Sequence, residues 1–405
     1  MTSELANFAA RLREFISASI PVIADATQST SEFQNGNGPL RLGGCEQDFN
    51  ALARELFGLQ FNANTAYRTH CEARRASPRT VRHWTRIPTV PTTAFKEFEM
   101  TCLPPAQRSR VFHSSGTTEQ RPSRHFHNAE SLAVYEASLW PWFSAQVLPD
   151  LRFTRCGLRI AVLTPPPAQA PHSSLIHMFE TVRRELGQGE RDYVGRIESD
   201  GTWSLDSNAA HDVLRVASGS NTPLVLLGTA FSFVHLLDGL AAQNLRFQLP
   251  SGSRVMETGG YKSRSRELHK GALHGLISHR LGVPPAHLVC EYGMSELSSQ
   301  AYDKVAGDKW QVTRAPEVES CHLSRGTCHF HFPPWARAQI ISPESGLEVG
   351  EGETGLVRVF DLANVFSVLA VQTEDLGVRR GDGFELLGRA ALAEARGCSL
   401  MAVTS

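Results

Sequence analysis

The chain has no CxxC pair, no internal repeat and no low-complexity tract. It also has no uninterrupted apolar run long enough to cross a bilayer. Each absence excludes something. Eight cysteines scattered over 405 residues spell neither a disulfide framework nor a zinc-finger spacing. Free thiols in a reducing, cytoplasmic setting are expected. The most apolar window, PLVLLGTAFSFVHLLDGLAA, is broken by His235, Asp238 and glycines. It reads as a buried strand followed by a helix rather than a membrane span. Glu4, Glu14 and Asp25 interrupt the first thirty residues, so no secretory signal is expected. Charge of one sign is also missing. Forty Lys and Arg against 41 Asp and Glu leave a net charge of -1. That balance gives no electrostatic footprint for nucleic acid or an anionic membrane. The remaining composition, 41% hydrophobic, is that of an ordinary soluble globular chain.

Periodicity organises what is there. Leu5, Phe8, Leu12, Phe15 and Ile16 have helical spacing, and a second helix is expected near 46–58. A strand over Val111-Phe112 leads into a hydroxyl-rich loop, FHSSGTTEQRPSRH, and an amphipathic helix follows over about 129–147. Strand and helix then alternate: LRIAV, SSLIHMFETVRREL behind Ser173 or Ser174 as cap, PLVLLGTA, FSFVHLLDGLAAQ, SRVMET, SRELHKGALHGLISHRLG and HLVCEY. The pattern predicts an α/β fold with a mostly parallel sheet flanked by helices. After about residue 320 the text changes to short strands: CHFHF, ARAQII, GLVRVF, VFSVLAVQ and FELLG. These predict a β-rich subdomain.

Ligands of parallel α/β sheets bind at the carboxyl ends of strands. Residues 113–124, 257–262, 291–296 and 373–375 fall at such places. Together they resemble the adenylate-forming superfamily. SSGTTEQRPS is similar to its phosphate loop, YGMSE to its Tyr-Gly-x-Thr-Glu motif, TEDLG to its ribose-binding motif and LLGR to its hinge. Within that superfamily the chain resembles the LuxE-type acyl-protein synthetases. The stretches IPTVPTTAFKEF, SSLIHM, ETGGYKSRSREL, EYGMSELSSQAYD, PPWARAQI, FDLANVFSVLAVQTEDLGV and ARGCSL carry that resemblance, in order, over about 87–400. The first eighty residues add little to it.

The resemblance implies ATP and Mg²⁺ as cofactors, a carboxylic acid as substrate, and an acyl-CoA-reductase-like or carrier protein as acceptor. It implies that an acid is activated as its acyl-adenylate, with loss of pyrophosphate, and then moves to a thiol. Ser114, Ser115, Gly116, Thr117 and Thr118 would hold the triphosphate, because hydroxyls and backbone N–H groups suit phosphate oxygens. Glu296 would bind Mg²⁺ as a hard oxygen ligand, and Ser295 would donate to the α-phosphate. Asp375 would accept from the ribose hydroxyls. Gly259 and Gly260 would lie against adenine, with Gly293 near it and Tyr292 stacking on the base or shaping the acyl pocket. Arg389 opens the hinge. Cys398 would carry the acyl group as a thioester. One adenylation domain is expected over 1–388, with a short tail over 389–405.

The pattern is not complete. Glu119 stands where the superfamily loop usually has glycine, and Ser123 or Arg124 where it usually has lysine. Arg121 or Arg124 is then a candidate cation. The superfamily's mobile C-terminal domain is expected to be absent or reduced to the tail, and its lysine with it. Lys262 is the nearest substitute. Two other readings stay open: a freestanding ligase delivering to coenzyme A, a carrier or an amine, and a nucleotide- or acyl-binding protein with little catalysis. The acid itself is not legible; Phe231, Phe233 and His235 are candidates for its pocket or for core. CHLSRGTCHFHF invites a metal reading, but Cys321, His322, Cys328, His329 and His331 fit no standard finger spacing. GEGETG has the dinucleotide spacing, but a strand follows it instead of a helix, so it reads as an acidic turn.

Overall fold

The computed structural model describes residues 2–20, 46–114, 121–149, 157–187, 192–259, 268–305 and 328–390. The chain divides into two compact units. The first comprises Met1–Pro141, Met294–Ala301 and His329–Ser405, and the second Trp142–Gly293 and Tyr302–Cys328.

The first unit opens with α1 (Thr2–Ser19), α2 (Glu46–Ala63) and α3 (Thr65–Ala73). Leu5, Phe8, Leu12 and Ile16 of α1 are buried, as their spacing predicts. The second helix runs on to Ala63, past the expected end, and Asn64 begins the third by accepting from Tyr67 N at 3.0 Å. Gln60 of α2 is fully buried, and its amide is used completely within a loop far along the chain. Its Nε2 donates to Asn364 O at 2.7 Å and Val365 O at 3.1 Å, and its Oε1 accepts from Leu369 N at 2.9 Å. A buried amide is retained only where such partners exist. Next come β1 (Val90–Pro91), α4 (Ala94–Glu97), and the antiparallel pair β2 (Arg110–His113) and β3 (Arg124–His127). The helix α5 (Ala129–Val147) leads into the second unit.

The second unit holds β4 (Arg159–Val162), α6 (Ser174–Glu185), a small hairpin of β5 (Gly195–Ile197) and β6 (Trp203–Leu205), and α7 (Ser207–Ser218). It continues with β7 (Leu224–Thr229), α8 (Ala230–Ala242), β8 (Arg254–Thr258), α9 (Lys270–Leu281), β9 (Leu288–Tyr292) and β10 (Ala301–Val305). Strands β4, β7, β8 and β9 are parallel in that order. The parallel sheet explains the near-continuous apolar text of β7, whose first five residues are all buried. Ser173 caps α6, and a Thr229–Ser232 capping box starts α8. Gly282 ends α9 at φ 69°, a conformation that glycine takes without steric cost. Leu226, Val255 and Leu288 pack with Phe233, Leu237 and Ile277 into one core. Phe233 therefore belongs to the core. Phe231 and His235 instead line a small depression with Trp203 and Thr229.

The first unit closes with β11 (Cys328–His331), β12 (Ala336–Ile341), β13 (Thr354–Asp361), β14 (Ala370–Arg380) and β15 (Gly383–Arg389). Their order is β12-β13-β14-β15-β11, with β1 parallel to β14. The antiparallel partners of β13, β14 and β15 form the β-rich part expected after residue 320. The strand expected over VFSVLAVQ begins only at Ala370. The residues before it turn instead, because Gln60 and Asn364 take up their backbone groups. No helix among the described residues is long and apolar enough to cross a membrane.

Candidate active site

In the first unit, strand alternation on β3 turns Ser123 and His125 one way and Arg124 the other. Ser123 N donates to Ser114 Oγ at 3.0 Å, so two residues flanking the hydroxyl-rich loop hold each other. Ser123 Oγ lies 3.3 Å from Ser295 Oγ, and Ser295 Oγ donates to Glu296 Oε2 at 3.0 Å. The hydroxyls of Ser123 and Ser295 thus lead from the base of the loop to a buried carboxylate. Below it, the His125 ring is 2.8 Å from Ser295 O through Nδ1. Burial pushes the His125 imidazole down to about 4. A neutral ring can hold its proton on Nδ1 and donate to that carbonyl. Arg124 is engaged elsewhere: it lies 3.9 Å from Glu99 and over the Phe126 ring.

Glu296 is 5% exposed. Burial raises its carboxyl above the ordinary range, against the hydrogen bonds of Ser123 and Ser295 and the positive charge of Arg389. The peptide after it is fixed from behind. Asn364 Nδ2 donates to Glu296 O at 2.9 Å, and Asn364 Oδ1 accepts from Ser298 Oγ at 2.7 Å. Asp361, fully buried, accepts from Ser298 N, Ser299 N, Ser299 Oγ and Ala363 N at 2.7–2.9 Å. Asp375 and Arg389 face each other in register on β14 and β15, with Arg389 Nε 3.6 Å from Asp375 Oδ1. The guanidinium is 79% exposed while Asp375 is 18% exposed. The arginine is therefore available to an incoming anion, and the pair contributes little to stability.

The first unit thus brings together Ser114, Ser123, Ser295, Glu296 and, on the β-rich sheet, Asp375 with Arg389. In the second unit Gly259 follows β8, and Tyr292 ends β9 just before Gly293. Among the described residues, none lies within 4 Å of a side chain added at Gly259. Ser115, Gly116, Thr117, Thr118, Glu119, Gly260, Lys262 and Cys398 lie outside the described residues. So do Cys321 and His322; His329 and His331 have ring centroids 6.5 Å apart on β11.

Sequence reasoning missed Ser123 as a participant, together with His125, Asp361 and Asn364. The alternation of RHFH was available as a signal for the first two. Asp361 and Asn364 stand in FDLANVF, which was noticed only as part of a resemblance.

Solved structures with this architecture include 2-hydroxyisobutyryl-CoA ligase in the postadenylation state in complex with 2-HIB-AMP. It has a TM-score of 0.60 and 11% identity over 85% of this chain and 67% of the other. An open conformation of that ligase, in complex with 2-HIB-AMP and CoA, gives the same TM-score over 85% of this chain and 74% of the other. The fold is that of the adenylate-forming enzymes. Residues 204–404 match the model of the family described as acyl-protein synthetase, LuxE. Over 383 residues, 86% of each chain, the protein is 21% identical to the long-chain-fatty-acid–luciferin-component ligase of Aliivibrio fischeri.

Proposed function

We propose that the protein activates a carboxylic acid with ATP and passes the acyl group to a thiol. In the first step a carboxylate oxygen attacks the α-phosphorus. The bond to the bridging oxygen breaks, and pyrophosphate leaves with the electron pair. Ser114, Ser123 and Ser295 offer hydroxyl donors to phosphate oxygens, with Ser115, Gly116, Thr117 and Thr118 as the rest of the loop. Asp375 accepts from the ribose hydroxyls, and Arg389 meets negative charge from the opposite strand. Gly259, Gly260 and Tyr292 flank the base. Magnesium fits the oxygen-only donor set around Glu296, and when bound it would neutralise phosphate charge. Lys262 is a second candidate cation.

In the second step the Cys398 thiolate attacks the acyl carbonyl. A C–S bond forms, the C–O bond to phosphate breaks, and AMP leaves. Three rival thiols are unsuited. Cys71, Cys102 and Cys290 are buried, and burial pushes the first two up to about 12 and the third well above its ordinary value. The acyl group then passes to a partner protein, as the name of the A. fischeri relative suggests for that protein.

The observation that carries this reading is the hydrogen-bonded run from Ser114 through Ser123 and Ser295 to the buried Glu296, on a chain with LuxE-family text. ATP–pyrophosphate exchange across fatty, aromatic, hydroxy and amino acids tests it. Acid-dependent exchange is expected. Its absence with every acid would leave a binding protein. Exchange without thioester formation would leave a freestanding ligase.

A further inference from the structure

Two glutamates end neighbouring strands of the second unit, and their surroundings differ. Glu257 of β8 is paired with Cys290 of β9 in register and faces α9, where His274 Nε2 lies 3.2 Å from its Oε1. Burial would lift its carboxyl, but His274 brings it below the ordinary range. Glu291 is one residue further along β9, so it projects from the other face of the sheet, beside its register partner Thr258. It is 5% exposed. Thr258 Oγ1 donates to its Oε2. Among the described residues nothing else hydrogen-bonds to this carboxyl group, and no cation pairs with it. The cations on the adjoining helix are committed: Lys270 to Asp303 and His274 to Glu257.

A buried carboxylate that has one donor and, among the described residues, no counter-charge is costly, and proteins rarely keep one without a use for it. Burial, with Glu257 adding repulsion, raises Glu291 to about 7. The position is also where a ligand is expected. Glu291 stands at the carboxyl end of a parallel strand, next to Tyr292 and Gly293. Among the described residues, none places an atom within 4 Å of a Cβ built on Gly259, directly after Thr258.

We propose that Glu291 recognises a hydrogen-bond donor, a hydroxyl or an ammonium group, on the acid that this protein activates. The substrate class is then a hydroxy- or amino-substituted carboxylic acid rather than a plain hydrocarbon acid. This rests on the adenylation reading above and narrows it. A donor on the substrate completes the coordination of Oε1, and an acid lacking it leaves the carboxyl group buried and unpaired. Sites built around such a group reject the unsubstituted analogue strongly.

The test is ATP–pyrophosphate exchange with hexanoate, 2-hydroxyhexanoate, 6-hydroxyhexanoate, 2-aminohexanoate, 6-aminohexanoate and tetradecanoate. Wild type, Glu291→Gln and Glu291→Leu are compared by ratios of kcat/KM between acids. Wild type should prefer at least one donor-bearing acid over hexanoate by about tenfold or more. Glu291→Leu should abolish that preference. Glu291→Gln should retain it for hydroxy acids and lose it for amino acids, which keeps the test decisive if the leucine variant does not fold. Equal use of hexanoate, or use of tetradecanoate alone, would overturn the inference and leave the adenylation reading standing. A preference that survives in both variants would overturn it too. No exchange with any acid would overturn both.

Discussion

Replacing Asp361 with alanine removes the acceptor of four hydrogen bonds from a residue with no exposed surface. The donors do not suffer equally. Ser299 Oγ can turn to Ser138 Oγ, already 2.9 Å away. The amides of Ser298, Ser299 and Ala363 have no such alternative at hand. Each buried donor left without an acceptor costs about 1–3 kcal/mol. Three orphans at the lower end of that range cost about 3 kcal/mol, and the loss of a carboxylate that burial itself disfavours lowers the net destabilisation to about 2–3 kcal/mol. Asp361→Asn should fall between. Its carbonyl can still serve both serine amides, while its NH2 group confronts Ala363 N, so about 1–2 kcal/mol is expected. Urea unfolding followed by two probes, with a common slope, measures the series. Pyrophosphate exchange should fall in the same order, because the peptide held by Asp361 follows Glu296 directly. An alanine variant as stable as wild type, or an asparagine variant as damaged as alanine, would refute this accounting.

Glu296→Gln should cut exchange by about a hundredfold or more, the usual loss on removing one electrostatic stabiliser. The same change should stabilise the ligand-free protein at neutral pH. A carboxyl group raised in the folded state takes up its proton there first, so wild-type stability should rise as pH falls through the raised value, and the glutamine variant should lack that rise. Calorimetry of Asp375→Ala should show ATP bound at least tenfold more weakly, with the fold retained; unchanged affinity would remove the residue from the nucleotide site. Cys398→Ser should keep exchange and lose the hydroxylamine-labile label from radioactive acid, and a label that persists would move the acceptor to another residue.

Much of the second unit could be read in advance because parallel strands are written as apolar runs and helices as apolar stripes. PLVLLGTA and FSFVHLLDGLAA became β7 and α8 within a residue or two. The hairpin at β5 and β6 and the helix α7 were not anticipated, since GRIESDGTWSL is polar and weakly periodic. At the site, motif residues such as Glu296 and Asp375 could be named because their chemistry is specific. Their supports could not. Whether Asp361 faces solvent or four donors depends on which distant segments pack over it, and one residue's own neighbours in sequence do not encode that. Arg124 shows the converse. Its charge made it, with Arg121, a candidate for the loop's missing cation, and the two-residue repeat of β3 places it beside Glu99, which the sequence does not reveal.

The amide of Gln60 links residues 309 positions apart, through the bond to Leu369 N. Such a contact closes one of the longest loops the chain can form, and contacts of this kind are slow to assemble. The turn it secures also carries Asn364, which holds the carbonyl of Glu296. During refolding the parallel sheet should therefore regain its circular dichroism before any exchange activity returns. On the ribosome the order is set differently: α2 emerges 309 residues ahead of Leu369 and must wait, its amide unanswered, until that segment has been made.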